Sequence, residues 1–311
     1  MRALILAAGF GTRLRPLTEH IAKALLPVCG ISILERNLVF FYTQGIGPLA
    51  VNSHYLHEQI EAFRRRSPVP FHISHEKEAI RGPGGALYAA REFLGQDDVF
   101  CVSNAEPIAE LDMAPVIERF SGMDCACALI CAPAESNGTV AYDPQSGDFL
   151  GALRLQPDLP GRHALYIGIA LCRREVLNLV TEEDFDVVPI WKRAGERYGM
   201  KAIETTPAFW CDVGNPREYA GAHFAFLEGG LGMDIPGELH FDRERKAVYP
   251  HEYSPSQVSS LGPRVWVQDG GIPPGCRLSD CVVLDGAALK AGQTYTNRIV
   301  SPWGDIRLED S

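Results

Sequence analysis

Hydrophobic and polar positions in the first half of the chain alternate between two periods. Short apolar runs at residues 3–8, 48–52, 69–75 and 99–103 read as strands. Between the first two, Leu34, Leu38 and Phe41 recur at helical spacing. Ser32 stands ahead of them with Glu35 three residues on, and Gly45 lies past the end, so the spacing predicts a helix with a capping box and a glycine stop. Further helices are predicted at 56–66, 85–94 and 112–120. Strands alternating with helices imply an α/β fold, a mainly parallel sheet flanked by helices. Ligands of such sheets sit outside the carboxyl ends of the strands. Three segments fall there: the loop after the first strand, Arg81-Gly82-Pro83-Gly84-Gly85, and Asn104-Ala105-Glu106.

From about residue 138 the pattern changes to strands with interrupted helices, predicted at 138–142, 148–156, 165–172, 200–206 and 209–213. A helix follows Asn215, which serves as cap, with Pro216 at its first position and Gly229 near its stop. Residues 229–264, rich in glycine, proline and charge, read as a linker. The tail then repeats with a period of six. Hexads beginning at Trp266, Ile272, Leu278, Leu284, Lys290 and Thr296 hold Gly275, Gly286 and Gly292 at corresponding positions, the sign of a short left-handed parallel β-helix. About two coils are fewer than a solenoid needs, so the tail is expected to lean on the first domain or on another copy of the chain. The organisation predicted is a domain over 1–228, a linker over 229–264 and a tail over 265–311.

At 311 residues, 46 % hydrophobic and 22 % charged, the chain has the composition of a soluble globular protein. Its net charge of −10 argues against a general nucleic-acid binder. There is no long apolar run and no basic leader with a cleavage site, so neither a membrane partner nor export is expected and the location is expected to be cytoplasmic. The nine cysteines show no C-x-x-C spacing, and several sit in apolar runs. They are expected as buried, reduced thiols rather than zinc ligands or disulfides.

Candidate chemistry concentrates in Leu4-Ile5-Leu6-Ala7-Ala8-Gly9-Phe10-Gly11-Thr12-Arg13-Leu14-Arg15-Pro16-Leu17-Thr18, closed by Lys23-Ala24-Leu25-Leu26-Pro27-Val28. Small residues after a strand let the backbone turn sharply and point N–H groups at a polyanion. Arg13, Arg15 and Lys23 then supply cations suited to a triphosphate. A dinucleotide-binding loop would need a third glycine where Leu14 stands, and a P-loop needs its glycines farther apart than Gly9 and Gly11. An ordinary strand-to-loop turn accounts for the two glycines but not for Thr12-Arg13 with Pro16-Leu17-Thr18 and Lys23.

This run resembles the signature of the sugar-1-phosphate nucleotidyltransferases, G-x-G-T-R-x-x-P-L-T followed by P-K-x-L-x-P-V, with Ala22 in place of the proline before the lysine. Within that family Val51-Asn52-Ser53-His54-Tyr55-Leu56 and Gly84-Gly85-Ala86-Leu87 look most like mannose-1-phosphate guanylyltransferase-like and N-acetylmuramate-phosphate uridylyltransferase-like members. The resemblance spans roughly residues 1–228 and implies a Rossmann-like sheet. It also implies nucleotide contacts at Leu6, Ala8, Gly9, Gly11, Thr12, Arg13, Glu76, Gly82, Gly84 and Asn104. Arg13 would neutralise the leaving pyrophosphate, and Lys23 would meet the α-phosphate or the sugar phosphate.

The family holds Mg²⁺ between two aspartates. One is matched by Asp212 in Trp210-Cys211-Asp212-Val213-Gly214-Asn215-Pro216; the other, from an N-G-D triplet, is here Asn104-Ala105-Glu106. The extra methylene of Glu106 displaces its oxygens by roughly 1–1.5 Å, which the short octahedral geometry of Mg²⁺ tolerates poorly. The lysine of a family E-K-P segment is replaced by Gln156. Arg154, two residues earlier in a predicted strand and so on the same face, is expected to take over part of the sugar-phosphate contact. The run Tyr166-Ile167-Gly168-Ile169-Ala170 matches the family's sugar-pocket strand only at Gly168 and Ile169, and Tyr166 in place of a polar amide implies an altered sugar pocket.

The activity implied is attack of a sugar-1-phosphate oxygen on the α-phosphorus of a nucleoside triphosphate, giving a GDP-mannose-type or UDP-sugar product. The alterations at Ala105, Glu106 and Gln156 also admit a non-catalytic nucleotide-sugar-binding regulator. An acyltransferase, suggested by the hexads, is disfavoured because two coils offer too little surface. The base and the sugar depend on the pocket around residues 76–86 and 166–170.

Overall fold

In the computed structural model, which describes residues 1–134, 137–230 and 235–308, Arg2–Leu6 runs parallel to both Leu49–Ser53 and Val99–Asn104. Residues 231–234 of the expected linker and 309–311 of the tail lie outside the described residues. Two compact units form, Met1–Gly9 with Leu34–Trp210, and Phe10–Ile33 with Cys211–Ser311. The division expected near residue 228 therefore falls earlier, and the signature run is shared between the units.

The first unit is built on a nine-stranded mixed sheet. Its order is Phe149–Ala152, Val140–Tyr142, Arg162–Arg173, Val99–Asn104, Arg2–Leu6, Leu49–Ser53 and Phe71–His75, with Cys127–Pro133 added on Arg162–Arg173 and Met200–Glu204 on Cys127–Pro133. Leu6 pairs with Asn52 on one side and Asn104 on the other, so the parallel strands end at one edge. Asn52 and Asn104 thus stand level with Leu6 at that edge.

Apolar positions on these strands pack against helices in a core that includes Leu4, Phe100, Leu129, Ile190 and Trp191, all buried. Each large side chain so buried contributes about 1.5–3 kcal/mol. The predicted helix over the second segment forms as Ile33–Thr43, and Gly45 stops it at φ +70°. Val187–Tyr198 is a helix that the periodicity reading passed over; Asp186 caps it by accepting the Val188 N–H. The strand expected over 148–156 stops at Ala152. There Leu155 and Gln156 both donate to the Ala152 carbonyl and turn the chain.

In the second unit Pro216–Leu227 begins as predicted. The Asn215 side chain accepts the Glu218 N–H and Glu218 accepts that of Asn215, a reciprocal cap worth about 1 kcal/mol. One face of this helix buries His223 and Phe226 against the Trp266 ring. The stretch expected as a linker carries Leu239–Asp242 and Ala247–Pro250, which are strands of a six-stranded sheet continued by Val265–Val267, Arg277–Val283, Thr294–Ser301 and Gly304–Arg307. That sheet is mixed, antiparallel at both edges and parallel between. Val265 aligns with Cys281 and Cys281 with Arg298, a step of roughly three hexads.

All nine cysteines are free and all but Cys211 are buried. Burial pushes the Cys101 thiol up to about 12, which keeps it protonated and inert. Among the described residues no helix is long and apolar enough to cross a membrane.

Candidate functional site

At the rim of the parallel strands, polar side chains are used first to fix the loops. Asn52 accepts the Ala7 N–H at 2.6 Å and donates to Glu76 Oε1 at 2.7 Å. Glu76 Oε2 accepts the Arg81 N–H at 2.7 Å. Glu76, expected at the nucleotide, is only 2 % exposed and gives both carboxylate oxygens to the protein. It ties the loop that follows Leu6 to the start of the glycine-rich loop.

That second loop owes its glycines to close packing. A Cβ on Gly82, at φ +66°, would stand 2.3 Å from the Phe185 carbonyl, and one on Gly84 would stand 2.6 Å from the Asp184 carbonyl. The Gly84 N–H donates to Phe185 O at 3.0 Å. Both glycines are thus required by the segment Asp184-Phe185-Asp186 that lies on them.

The third segment is clamped from the helix Ile33–Thr43. Asn37, buried, donates from its side-chain amide to the carbonyls of Ala105 at 3.0 Å and Pro107 at 3.3 Å, and so sets the backbone on both sides of Glu106. Sequence reasoning missed Asn37, because one polar residue inside a helix carries no spacing signal. Asn104 itself is exposed at the strand end. Gly168 sits at φ +89° where the long strand bulges, and a Cβ there would meet Pro107 Cγ at 2.8 Å.

The second unit holds the cationic part of the signature. Gly11 is in the left-handed region at φ +63°, and a Cβ on it would come within 2.8 Å of Thr18 Cγ2 and 3.0 Å of Lys23 Cβ. The Thr18 hydroxyl donates to the Gly11 carbonyl. Lys23 is 7 % exposed and packs its stem on that turn. Arg13 lies exposed in the short helix Thr12–Leu14, with its guanidinium against Gly214, where a Cβ would meet Nη2 at 2.8 Å. Gly214 in turn donates to Glu218 Oε2 at 2.9 Å, so the capping box shapes the Asp212–Asn215 turn beside Arg13. Asp212 is half-buried, and its Oδ1 accepts the Val213 N–H at 2.7 Å. Among the described residues no three His, Cys, Asp or Glu gather as a metal cage.

A cavity of about 760 Å³ opens within the first unit. Its walls include Leu6, Val102, Asn104, Phe149, Tyr166 and Trp191. Arg154 stands at its side and donates to Asp186 Oδ2 at 2.7 Å. Burial alone would push the Asp186 carboxyl up, but the bond from Arg154 and that from the Val188 N–H outweigh it and hold the group below the ordinary carboxylate range. Burial pushes the Tyr166 phenol well up, so it stays a neutral hydroxyl. The expectation that Arg154 and Gln156 share a strand face is corrected. They lie in and after a turn, and Gln156 lines a separate groove with Leu150, Leu155 and Lys192. The sequence signal for Asp186, an acid directly before the apolar run Val187-Val188-Pro189-Ile190-Trp191, was legible as a cap but was passed over.

The nucleotidyl transferase family model matches residues 2–156. N-acetylmuramate alpha-1-phosphate uridylyltransferase of Caulobacter vibrioides is 28 % identical over 240 residues, which is 73 % of this chain and 97 % of that protein. The catalytic subunit beta of mannose-1-phosphate guanylyltransferase from Xenopus tropicalis is 25 % identical over 252 residues, covering 77 % of this chain and 68 % of that one. Among solved structures, a UDP-glucose pyrophosphorylase complexed with UDP-glucose superposes with a TM-score of 0.61 at 16 % identity, over 73 % of this chain and 98 % of that one. HddC from Yersinia pseudotuberculosis with GMP-PN gives 0.58 at 21 %, over 71 % and 97 %. The chain thus carries a nucleotidyl transferase domain, and the relatives it resembles are sugar-1-phosphate nucleotidyltransferases.

Proposed function

We propose that the protein transfers a nucleotidyl group from a nucleoside triphosphate to a sugar-1-phosphate. The observation that carries this reading is the Gly11 turn, a left-handed glycine whose missing Cβ leaves room for the Lys23 stem, with Arg13 exposed beside it. An oxygen of the sugar phosphate attacks the α-phosphorus; that P–O bond forms, the bond to the β-phosphate bridging oxygen breaks, and pyrophosphate departs with the electron pair. Arg13 neutralises the departing pyrophosphate and Lys23 the α-phosphate, where charge builds. Leu6, Ala8, Gly9, Thr12, Gly82, Gly84 and Asn104 line the nucleotide's path, and Glu76 holds two of these loops in place.

The sugar moiety is assigned to the cavity beside Arg154, Tyr166 and Gly168, and the Gln156 contact is given up. Glu106 and Asp212 would hold Mg²⁺ together with substrate phosphates, since two carboxylates plus phosphate oxygens are the donor set that ion takes. Bound there, the ion supplies charge neutralisation. The reading carries a cytoplasmic setting, where triphosphates are made, and a tail wound as a short β-helix through which copies associate.

Incubation with each of the common triphosphates, Mg²⁺ and a panel of sugar-1-phosphates, with pyrophosphate as readout, tests the proposal. Release from at least one pairing is expected. Tight nucleotide-sugar binding with no pyrophosphate from any pairing would leave the regulatory reading instead.

A further inference from the structure

The cavity in the first unit is large enough for a small-molecule site, at about 760 Å³ against a usual range of roughly 300–1,000 Å³. Its chemistry is unusual for a ligand rich in hydroxyl groups. The walls contributed by Leu129, Val140, Phe149, Leu153, Val188 and Trp191 offer no polar side-chain atom apart from the Trp191 indole N–H.

The polar side chains that do line it are mostly spoken for. Thr139 Oγ1 accepts the Tyr166 N–H at 2.8 Å, and His163 Nε2 lies 3.0 Å from the Leu159 carbonyl. Arg154 gives its guanidinium to Asp186 at 2.7 Å, and Asp186 also takes the Val188 N–H at 3.0 Å. Arg154, which the proposed reading gives to the phosphate group, is shared with Asp186, and among the described residues no other Lys or Arg lines the cavity to meet a carboxylate on the sugar. Asn104, exposed at the strand end, remains to orient one or two ring hydroxyls.

Hydroxyls pushed deeper than these would lose their water without replacement, whereas apolar groups would meet the walls. We propose that the sugar-1-phosphate taken by this site carries an uncharged apolar substituent, a deoxygenated carbon or the alkyl end of an N-acyl group, lodged against Phe149, Val188 and Trp191. This rests on the nucleotidyltransferase reading and names its substrate class.

The test uses the full chain and matched pairs of sugar-1-phosphates. A 6-deoxyhexose 1-phosphate is set against its parent hexose, an N-acetylhexosamine 1-phosphate against the same parent, and a hexuronic acid 1-phosphate serves as the charged arm. Pyrophosphate release gives kcat/KM, and calorimetry of each sugar phosphate without turnover gives Kd. The deoxy or N-acyl compound is expected to exceed its parent by at least about tenfold in both, the size of discrimination that apolar pockets achieve, and the uronic acid to fall below it.

Val188→Thr, which adds a hydroxyl to the wall at nearly constant volume, should shrink that preference; if this variant does not fold, calorimetry on the unaltered chain decides. A parent hexose equal to or better than its substituted partners overturns the proposal and leaves nucleotidyl transfer standing. Preferential binding of the substituted compounds without pyrophosphate from any pairing overturns nucleotidyl transfer and leaves the apolar specificity standing. Absence of both overturns both.

Discussion

The Thr18 hydroxyl donates to the Gly11 carbonyl at 2.8 Å and pins a left-handed glycine against the stem of Lys23. Thr18 is 1 % exposed, so Thr18→Val leaves a carbonyl that lost its partner in a nearly unchanged volume. The loss is expected to cost about 1 kcal/mol, seen as a lower Tm, together with a raised KM for the triphosphate. Thr18→Ser keeps the hydroxyl and should restore the KM.

Arg13 separates function from stability. Its side chain is exposed, so Arg13→Ala is expected to move stability by no more than about 0.5 kcal/mol. The rate should fall much further, by roughly 10²–10³ in kcat, as for other lost donors to a developing anion. Arg13→Lys should recover only part of it, because an ammonium lacks the two-pronged geometry. Equal rates for Arg13→Ala and the unaltered chain would remove Arg13 from the mechanism.

Arg154→Ala breaks an ion pair but not the helix behind it, since Asp186 still caps Val188. An exposed pair contributes about 0.2–1 kcal/mol, so Tm should barely change. The KM for the sugar phosphate should rise several-fold, about the loss of one charged contact. If KM and turnover both stay put, Arg154 has no share in substrate binding.

At Glu106 the comparison is between charge and length. Glu106→Gln removes the charge, and the Mg²⁺ concentration for half-maximal rate is expected to rise by at least about tenfold. Glu106→Asp keeps the charge and should stay within a few-fold of the unaltered chain. A Mg²⁺ titration of pyrophosphate release with both variants reads this directly.

His75 stacks on His57 with ring centroids 3.4 Å apart. Burial, the facing His57 and then Lys77 and His54 hold its imidazole below 6.5, with Glu58 opposing. A histidine whose folded value is lowered binds its proton more readily in the unfolded chain. Its contribution is therefore complete above about pH 6.5 and is lost as the pH falls below that toward the folded value. Urea midpoints should drop on acidification through this window, and His75→Gln should flatten the slope.

What the sequence disclosed followed from local chemistry. The Asn215 cap with Glu218 and the stop at Gly45 rest on neighbours in the chain, and both formed. What it concealed depends on distant partners. Phe149, Leu153 and Leu155 continue an apolar pattern that looks like one strand, yet the carbonyl of Ala152 captures two N–H groups and turns the chain. Leu239–Asp242 and Ala247–Pro250 are short segments set among glycine, proline and charge, and pairing with the tail makes them strands. Asn37 and Asp186 take their meaning from carbonyls and a guanidinium that only the fold brings to them.

The packing of Gly82 and Gly84 under Phe185 also sets an order of events during synthesis. The glycine loop cannot take its final shape until the chain has been made past Asp186, about 100 residues later, which at ~5–20 residues per second is a delay of roughly 5–20 s. Throughout that interval the nascent strands Arg2–Leu6, Leu49–Ser53 and Phe71–His75 exist without the segment that fixes the loop at their rim.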